Sequence, residues 1–360
     1  MSFFREERDA YVLGLLRLAI SALLFLSCGR LILELGRGGY FGDFFHIPML
    51  PESCLPSATG YGLILGSQAV AAVLAFLGLW PREALLTASS LGLFVLMLDR
   101  LQYHNNRYAL LLLGFLLAFT PCDRSFSIAQ RKPHSLPVAE RVAPSFARYL
   151  FQIQVSLVYL GSACGKLLDS DWRAGQVLLV RFATTGAFWA ARGRTLPHAL
   201  DVLLSSAWFA SLAAKAAIST ELFIALGIWF PRTRRLALWV GVWFHFWIEV
   251  SARVELFSWL MVASYLAFVV PEVRQRRFEF DPRSAFGSAL ARALSWLDWC
   301  ARFQIAERPG GASFAVIDRD GHTGHGLAGA AKLSEALPAL FPLWLPLALL
   351  AKARQKLSSA

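Results

Sequence analysis

The chain has 360 residues, of which 56% are hydrophobic and only 16% charged, and its formal net charge is +11. A soluble domain of this size shows water many more charged side chains, so the composition argues against an ordinary soluble protein and for a polytopic membrane protein. The basic residues sit in short loops between apolar runs; this is the loop bias of membrane proteins and argues against a nucleic-acid partner.

The N-terminal stretch "MSFFREERDAYVLGLL" mixes both charge signs ahead of a long apolar run and has no small-residue cleavage site. It reads as the start of a retained first span, not a removable signal peptide. Crossing a hydrocarbon core of roughly 30 Å takes about 20 apolar helical residues. Eight stretches qualify as spans: 11–28, 61–80, 83–98, 107–120, 149–167, 205–230, 234–250 and 254–270. A further apolar stretch, 174–191, holds Arg181 and several small residues and reads as an interfacial or re-entrant helix.

Beyond residue 270 the character changes. "PEVRQRRFEFDPRS" (271–284) reads as a basic linker and "ASFAVID" (312–318) as a short strand running into the turn "DRDG". "AAKLSEALPAL" reads as an amphipathic helix, and "FPLWLPLALLAKARQK" is Pro-punctuated and interfacial. The expected fold is therefore an all-α transmembrane bundle of about eight spans over 1–270, followed by a small cytoplasmic α/β appendage over 271–360.

Sidedness follows from the basic loops. Eight spans put the N-terminus, Arg82, the 121–148 loop, "PRTRR" at 231–235 and the C-terminal tail on one side, which is then cytoplasmic. The expected location is a bacterial inner membrane, with both termini inside. Four polar stretches fall on or near the other side: 38–52, 99–108, 166–175 and 244–255. Polar groups at the membrane are costly unless they pair or work, so their convergence would mark a site.

Within those stretches several residues stand out. Lys166 ends an apolar helix, with Asp169, Asp171 and Trp172 close behind. A lysine in low dielectric can serve as a base, whereas Asp169, one helical turn on, would hold it charged. The plain alternative is an ion pair at a helix end with the lysine snorkelling, and an aromatic-belt role for Trp172. His245 lies mid-run in "GVWFHFWIEV", where a histidine usually faces a partner in the bundle. Arg100, His104, Asn105 and Asn106 are candidates for positioning a polar headgroup or a quinone oxygen, although loop polarity explains them equally well. Lys215 and Glu221 lie six apart in one span and do not share a face; Lys215 with Glu249 is one conceivable pairing.

No metal site is indicated. Cys28, Cys54, Cys122, Cys164 and Cys300 are far apart without paired spacing, and His322 and His325 read as a solvated loop.

Three segments resemble a known family. "YHNNRYALLLLGFLLAFTPCDRSFSI", "RYLFQIQVSLVYLGSACGKLLDSDWRAG" and "VWFHFWIEVSARVELFSWLMVAS" are similar, in this order, to motifs of the HTTM proteins. These are bacterial relatives of the membrane part of vitamin K-dependent gamma-carboxylase. The resemblance covers roughly 10–270 and implies a quinone-like, vitamin K-type cofactor and a lysine base, for which Lys166 is the matching position.

Lys166 stands six residues before Trp172, against five in the carboxylases, and Arg107 replaces a family histidine. The short basic tail does not match the large luminal domain of a peptidyl-glutamate carboxylase, so that activity is not expected. What the resemblance implies is proton abstraction or redox chemistry at a non-cytoplasmic pocket. The alternative is a non-catalytic transport or scaffold protein that keeps only the bundle. Residues 314–350 more faintly resemble the second half of a thioredoxin-like domain called DCC, without its cysteine pair.

Overall fold

The computed structural model describes residues 7–9, 11–42, 45–128, 142–144, 146–195, 197–251, 254, 256–269 and 275–359. Half of the basic 121–148 loop (129–141 and 145) and residues 271–274 of the expected linker lie outside the described residues. The chain divides into two compact units, Met1–Phe268 and Val269–Ala360.

In the first unit every apolar stretch becomes a helix. Helix α1 spans Tyr11–Leu35, α2 Ala58–Leu77, α3 Pro81–Met97 and α4 Asn105–Ala118. Then come α5 (Phe146–Leu168), α6 (Ser170–Ala174), α7 (Gln176–Ala190) and α8 (His198–Leu204). Helices α9 (Ala207–Gly227), α10 (Pro231–Ser251) and α11 (Phe257–Ser264) complete the unit, α11 running on as a 3-10 turn over Tyr265–Phe268. A short antiparallel ribbon, β1 (Glu7–Asp9) with β2 (Val142–Pro144), departs from the all-α expectation.

The helix ends follow local chemistry. Ser57 accepts a hydrogen bond from the Gly60 N–H at the start of α2, and Gly78 ends that helix in the left-handed conformation that a glycine adopts without steric cost. Pro81 opens α3, where its missing N–H is not needed.

Three helices are long and apolar enough to cross a membrane: Val12–Phe41 counted with its 3-10 extension, Ala58–Leu77 and Ala207–Gly227. Helices α5 and α10 have the length, but Arg148 and Lys166 in α5 and the "PRTRR" start of α10 dilute their apolar character.

Packing in this unit relies on buried polar ties as well as apolar contact. Arg17 of α1 is fully buried and donates to the carbonyls of Cys122 (2.8 Å) and Phe126 (2.6 Å) beyond α4. Gln152 and Arg148 of α5 both donate to the Ala267 carbonyl, at 2.7 and 2.6 Å. These bonds join segments more than 100 residues apart and fix their registry, because a lone buried polar group is costly.

The second unit corrects the linker reading. Residues Arg276–Phe280 form a strand, β3, at an inner position of a four-stranded sheet ordered β4-β3-β5-β6, with β4 at Phe303–Glu307, β5 at Phe314–Ile317 and β6 at Thr323–Gly324. Strand β3 runs parallel to β4, joined through α12 (Ala285–Leu297), and antiparallel to β5. Helices α13 (Gly326–Ala336) and α14 (Trp344–Ser359) follow the sheet.

The dense charge of "RRFEF" hides a period-two pattern. Phe278 and Phe280 enter the core with Leu294, Val316 and Leu333, and Arg276 is buried beside Glu335 at 3.5 Å. The sheet thus begins upstream of the 314–350 stretch that carries the DCC resemblance.

Candidate functional site

Helix α5 presents Tyr159, Ser162 and Lys166 at i, i+3 and i+7, which puts all three on one face. Three other elements meet that face. Helix α9 brings Glu221, α10 brings His245, and the 3-10 turn after α11 brings Tyr265.

Lys166 Nζ donates to Glu221 Oε1 and to Ser162 Oγ (2.9 Å), and the Ser162 hydroxyl donates to the same carboxylate oxygen at 3.1 Å. The side chains of Lys166 and Glu221 are only 15% and 6% exposed. The Trp172 ring lies over the amine, its centroid 4.8 Å from Nζ. Two turns back along α5, the Tyr159 hydroxyl bridges His245 Nε2 at 2.5 Å and the Tyr265 hydroxyl at 2.6 Å. All three of these side chains are buried.

Gly241, one turn before His245, permits this approach, since a Cβ there would lie 2.1 Å from the Tyr265 hydroxyl oxygen. The Phe257 ring meets His245 edge-on at 5.7 Å. An ammonium, a carboxylate, a hydroxyl and a tyrosine–histidine–tyrosine chain therefore lie along one helix face. Together they can hold, donate and accept protons away from bulk water.

The other sequence candidates fall elsewhere. Asp169 is the N-cap of α6 and accepts from the N–H groups of Asp171 (2.8 Å) and Trp172 (3.2 Å); it thereby sets the helix that carries Trp172. Asp171 is exposed in the first turn of α6. Lys215 is exposed, and no ion pair joins it to Glu249 among the described residues. Arg100, His104 and Asn105 are exposed and Asn106 half-buried at the start of α4.

The polar stretches 38–52 and 99–108 do meet, but in a separate cluster. His46 Nδ1 lies 2.7 Å from Asp99 Oδ2, the Tyr40 ring stacks on His46, and the Arg100 N–H bonds the Ile47 carbonyl. A cavity of about 290 Å³ beside this cluster is lined by Arg107, Tyr61 and Gln68 among others, and by neither Lys166 nor His245.

Burial pushes the Asp99 carboxyl up, but hydrogen bonds from His46 and from the N–H groups of Leu101 and Ile47 outweigh it and hold the group below its ordinary value. A depressed carboxylate contributes stability that is complete above its unfolded value, near 3.9, and is lost as pH falls through the lower folded value. Hydrogen-exchange protection of the Ile47 and Leu101 amides is therefore expected to stay level from pH 7 to about 5 and to fall below about 4. Asp99→Asn should remove that fall; equal acid loss in both proteins would assign it to another group.

Glu221, Tyr159, Tyr265 and Ser162 are the residues that sequence reasoning missed as site members. A lone acid inside an apolar helix was the one available signal, because the two tyrosines look like ordinary core aromatics. A family model described as HTTM domain matches residues 5–272. No curated protein matches the chain, and no solved structure matches it.

Proposed function

This chain belongs to the HTTM domain family, and from that premise we propose that it is a multi-pass inner-membrane protein binding a quinone-like lipophilic cofactor beside Lys166 and His245. In this reading the bundle crosses the bilayer about eight times with both termini in the cytoplasm, and the site opens toward the non-cytoplasmic leaflet. The observation that carries it is the common helix face on which the part-buried Lys166–Ser162–Glu221 set and the buried Tyr159–His245–Tyr265 chain both lie.

The residues fit such a group. Glu221 Oε2 and His245 Nδ1 are buried without a hydrogen-bond partner among the described residues; the first suits a ring hydroxyl, and the second suits a hydroxyl or carbonyl oxygen of a ring ligand. Phe257 and Trp172 supply aromatic walls. A bound hydroquinone supplies weakly acidic hydroxyls and two-electron redox chemistry.

Passing a proton from Lys166 Nζ to Glu221 Oε1 neutralises both groups without moving net charge, which leaves a neutral amine able to act as base in a low-dielectric site. Ser162 holds the carboxylate oxygen in line with the amine during that exchange. Trp172 covers Nζ and excludes water, with Asp169 fixing its helix. Tyr159 can accept a proton from one neighbour while donating to the other, so it couples His245 to Tyr265. Arg100 borders the His46–Asp99 cluster, His104, Asn105 and Asn106 stand at the start of α4, and this step uses none of the four.

The competing reading, a transport or scaffold bundle, treats the Lys166–Glu221 pair as a strut between α5 and α9. Reconstituted protein separates the two. Naphthoquinone binding is expected in the wild type and expected to weaken at least about tenfold in Lys166→Met/Glu221→Leu, whose apolar side chains keep the packing. Unchanged binding and an unchanged pH profile of quinol oxidation would favour the strut. For sidedness, Asp171→Cys should react with an impermeant thiol reagent from the non-cytoplasmic side alone.

A further inference from the structure

The cavity among α1, α2, α3 and α4 is a second site with its own chemistry. Its mouth carries Arg37 and Arg107, neither of which has an ion-pair partner among the described residues. Two carboxylates also line the cavity and are already engaged: Glu34 pairs with Arg30 at 2.9 Å and the buried Asp99 with His46 at 2.7 Å. The mouth therefore offers uncompensated positive charge.

Gln68 also lines the cavity; it is only 4% exposed, and its side-chain carbonyl oxygen is buried in the wall with no hydrogen-bond partner among the described residues. Gly92 makes room for that amide, since a Cβ there would lie 2.6 Å from Gln68 Nε2. Leu31, Val95, Leu110 and Leu111 give the rest of the wall its apolar character. A buried acceptor left unsatisfied costs stability, and a ligand that donates to it recovers that cost.

We propose that this cavity binds an anionic amphiphile that carries a hydroxyl or N–H donor a few bonds from its acid group. The carboxylate or phosphate lies between Arg37 and Arg107, the donor reaches Gln68, and the chain follows Leu31 and Leu110. A pocket of about 290 Å³ suits a headgroup and the first part of a chain, near the lower end of the usual ligand-site range. A free hydroxy acid and a glycerol-bearing lipid phosphate share this chemistry.

The test uses the full chain in phosphatidylcholine nanodiscs, with 3-hydroxydecanoate as the free probe and spin-labelled phosphatidylglycerol as the lipid probe. Decanoate, 1,3-decanediol and spin-labelled phosphatidylcholine are the controls. At least one anionic probe is expected to bind at least about tenfold more tightly than its neutral or zwitterionic counterpart. Arg37→Gln/Arg107→Gln should abolish that preference, while Gln68→Leu should erase the advantage of 3-hydroxydecanoate over decanoate and leave the charge preference intact. Binding of the hydroxy acid alone identifies a free amphiphile, and immobilisation of phosphatidylglycerol alone identifies a lipid headgroup. Equal binding of charged and uncharged probes, or wild-type binding by the double arginine variant, overturns the proposal. Naphthoquinone binding is expected to persist in the arginine variant, so the two sites fail independently.

Discussion

Lys166→Ala is expected to destabilise the bundle by about 3–5 kcal/mol, because it leaves the Glu221 carboxylate buried without its cation. The two side chains are 15% and 6% exposed, so the short Glu221 side chain cannot turn to bulk water without moving a helix. Glu221→Ala should be costly for the complementary reason, although Lys166 can snorkel and recover part of the loss. The double variant Lys166→Met/Glu221→Leu is expected to melt close to the wild type, since apolar side chains of similar volume often replace a buried ion pair at little cost.

Thermal melting in detergent of the wild type, Lys166→Met, Glu221→Leu and their double variant gives the four corners of a cycle, and a strong non-additivity is the expected outcome. A Lys166→Ala protein that melts with the wild type would show that the pair is solvated, and the base assigned to Lys166 would lose its low-dielectric setting.

Gly175→Ala is expected to cost about 2–5 kcal/mol through two separate effects. Gly175 joins α6 to α7 at φ +84°, a conformation that an L side chain adopts only under strain. A Cβ at this position would also lie 2.4 Å from the Ser211 nitrogen and 2.5 Å from the Ala210 carbonyl carbon. Those are backbone atoms of α9 and cannot rotate aside, so α9 itself must shift. The shift displaces the helix that holds Glu221, and naphthoquinone binding should fall together with the melting temperature.

Gly161→Ala is the matched control. This glycine is inside α5 with nothing among the described residues within 4 Å of its would-be Cβ, so alanine there should stabilise by about 0.5–1 kcal/mol. If both substitutions prove neutral, the close contact between Gly175 and α9 does not exist.

Much of the bundle was legible in the sequence because apolar run length is a local property. Each of the eight stretches read as a span carries a helix among its described residues, and "AGQVLLVRFATTGAFWAA" becomes the 15-residue α7. Two errors have different origins. The strand at Arg276–Phe280 looked like a linker because its phenylalanines alternate with charges, one of which, Arg276, is buried against Glu335. The β1–β2 ribbon pairs residues 7–9 with 142–144, and no local pattern announces a partner so distant.

The sequence by itself determined where the helices lie and which ionisable groups, Lys166, Glu221 and His245, sit within apolar surroundings. Both are set by residue identity over a few turns. Only the tertiary structure decided who faces whom. Asp169, adjacent in sequence, turned away to cap α6, and Glu221, 55 residues on, took its place beside the amine. Tyr159 and Tyr265, indistinguishable from core aromatics by composition, became the hydroxyl chain to His245. Such pairings depend on the rotation of each helix about its own axis against its neighbours, which packing fixes and no short window of sequence encodes.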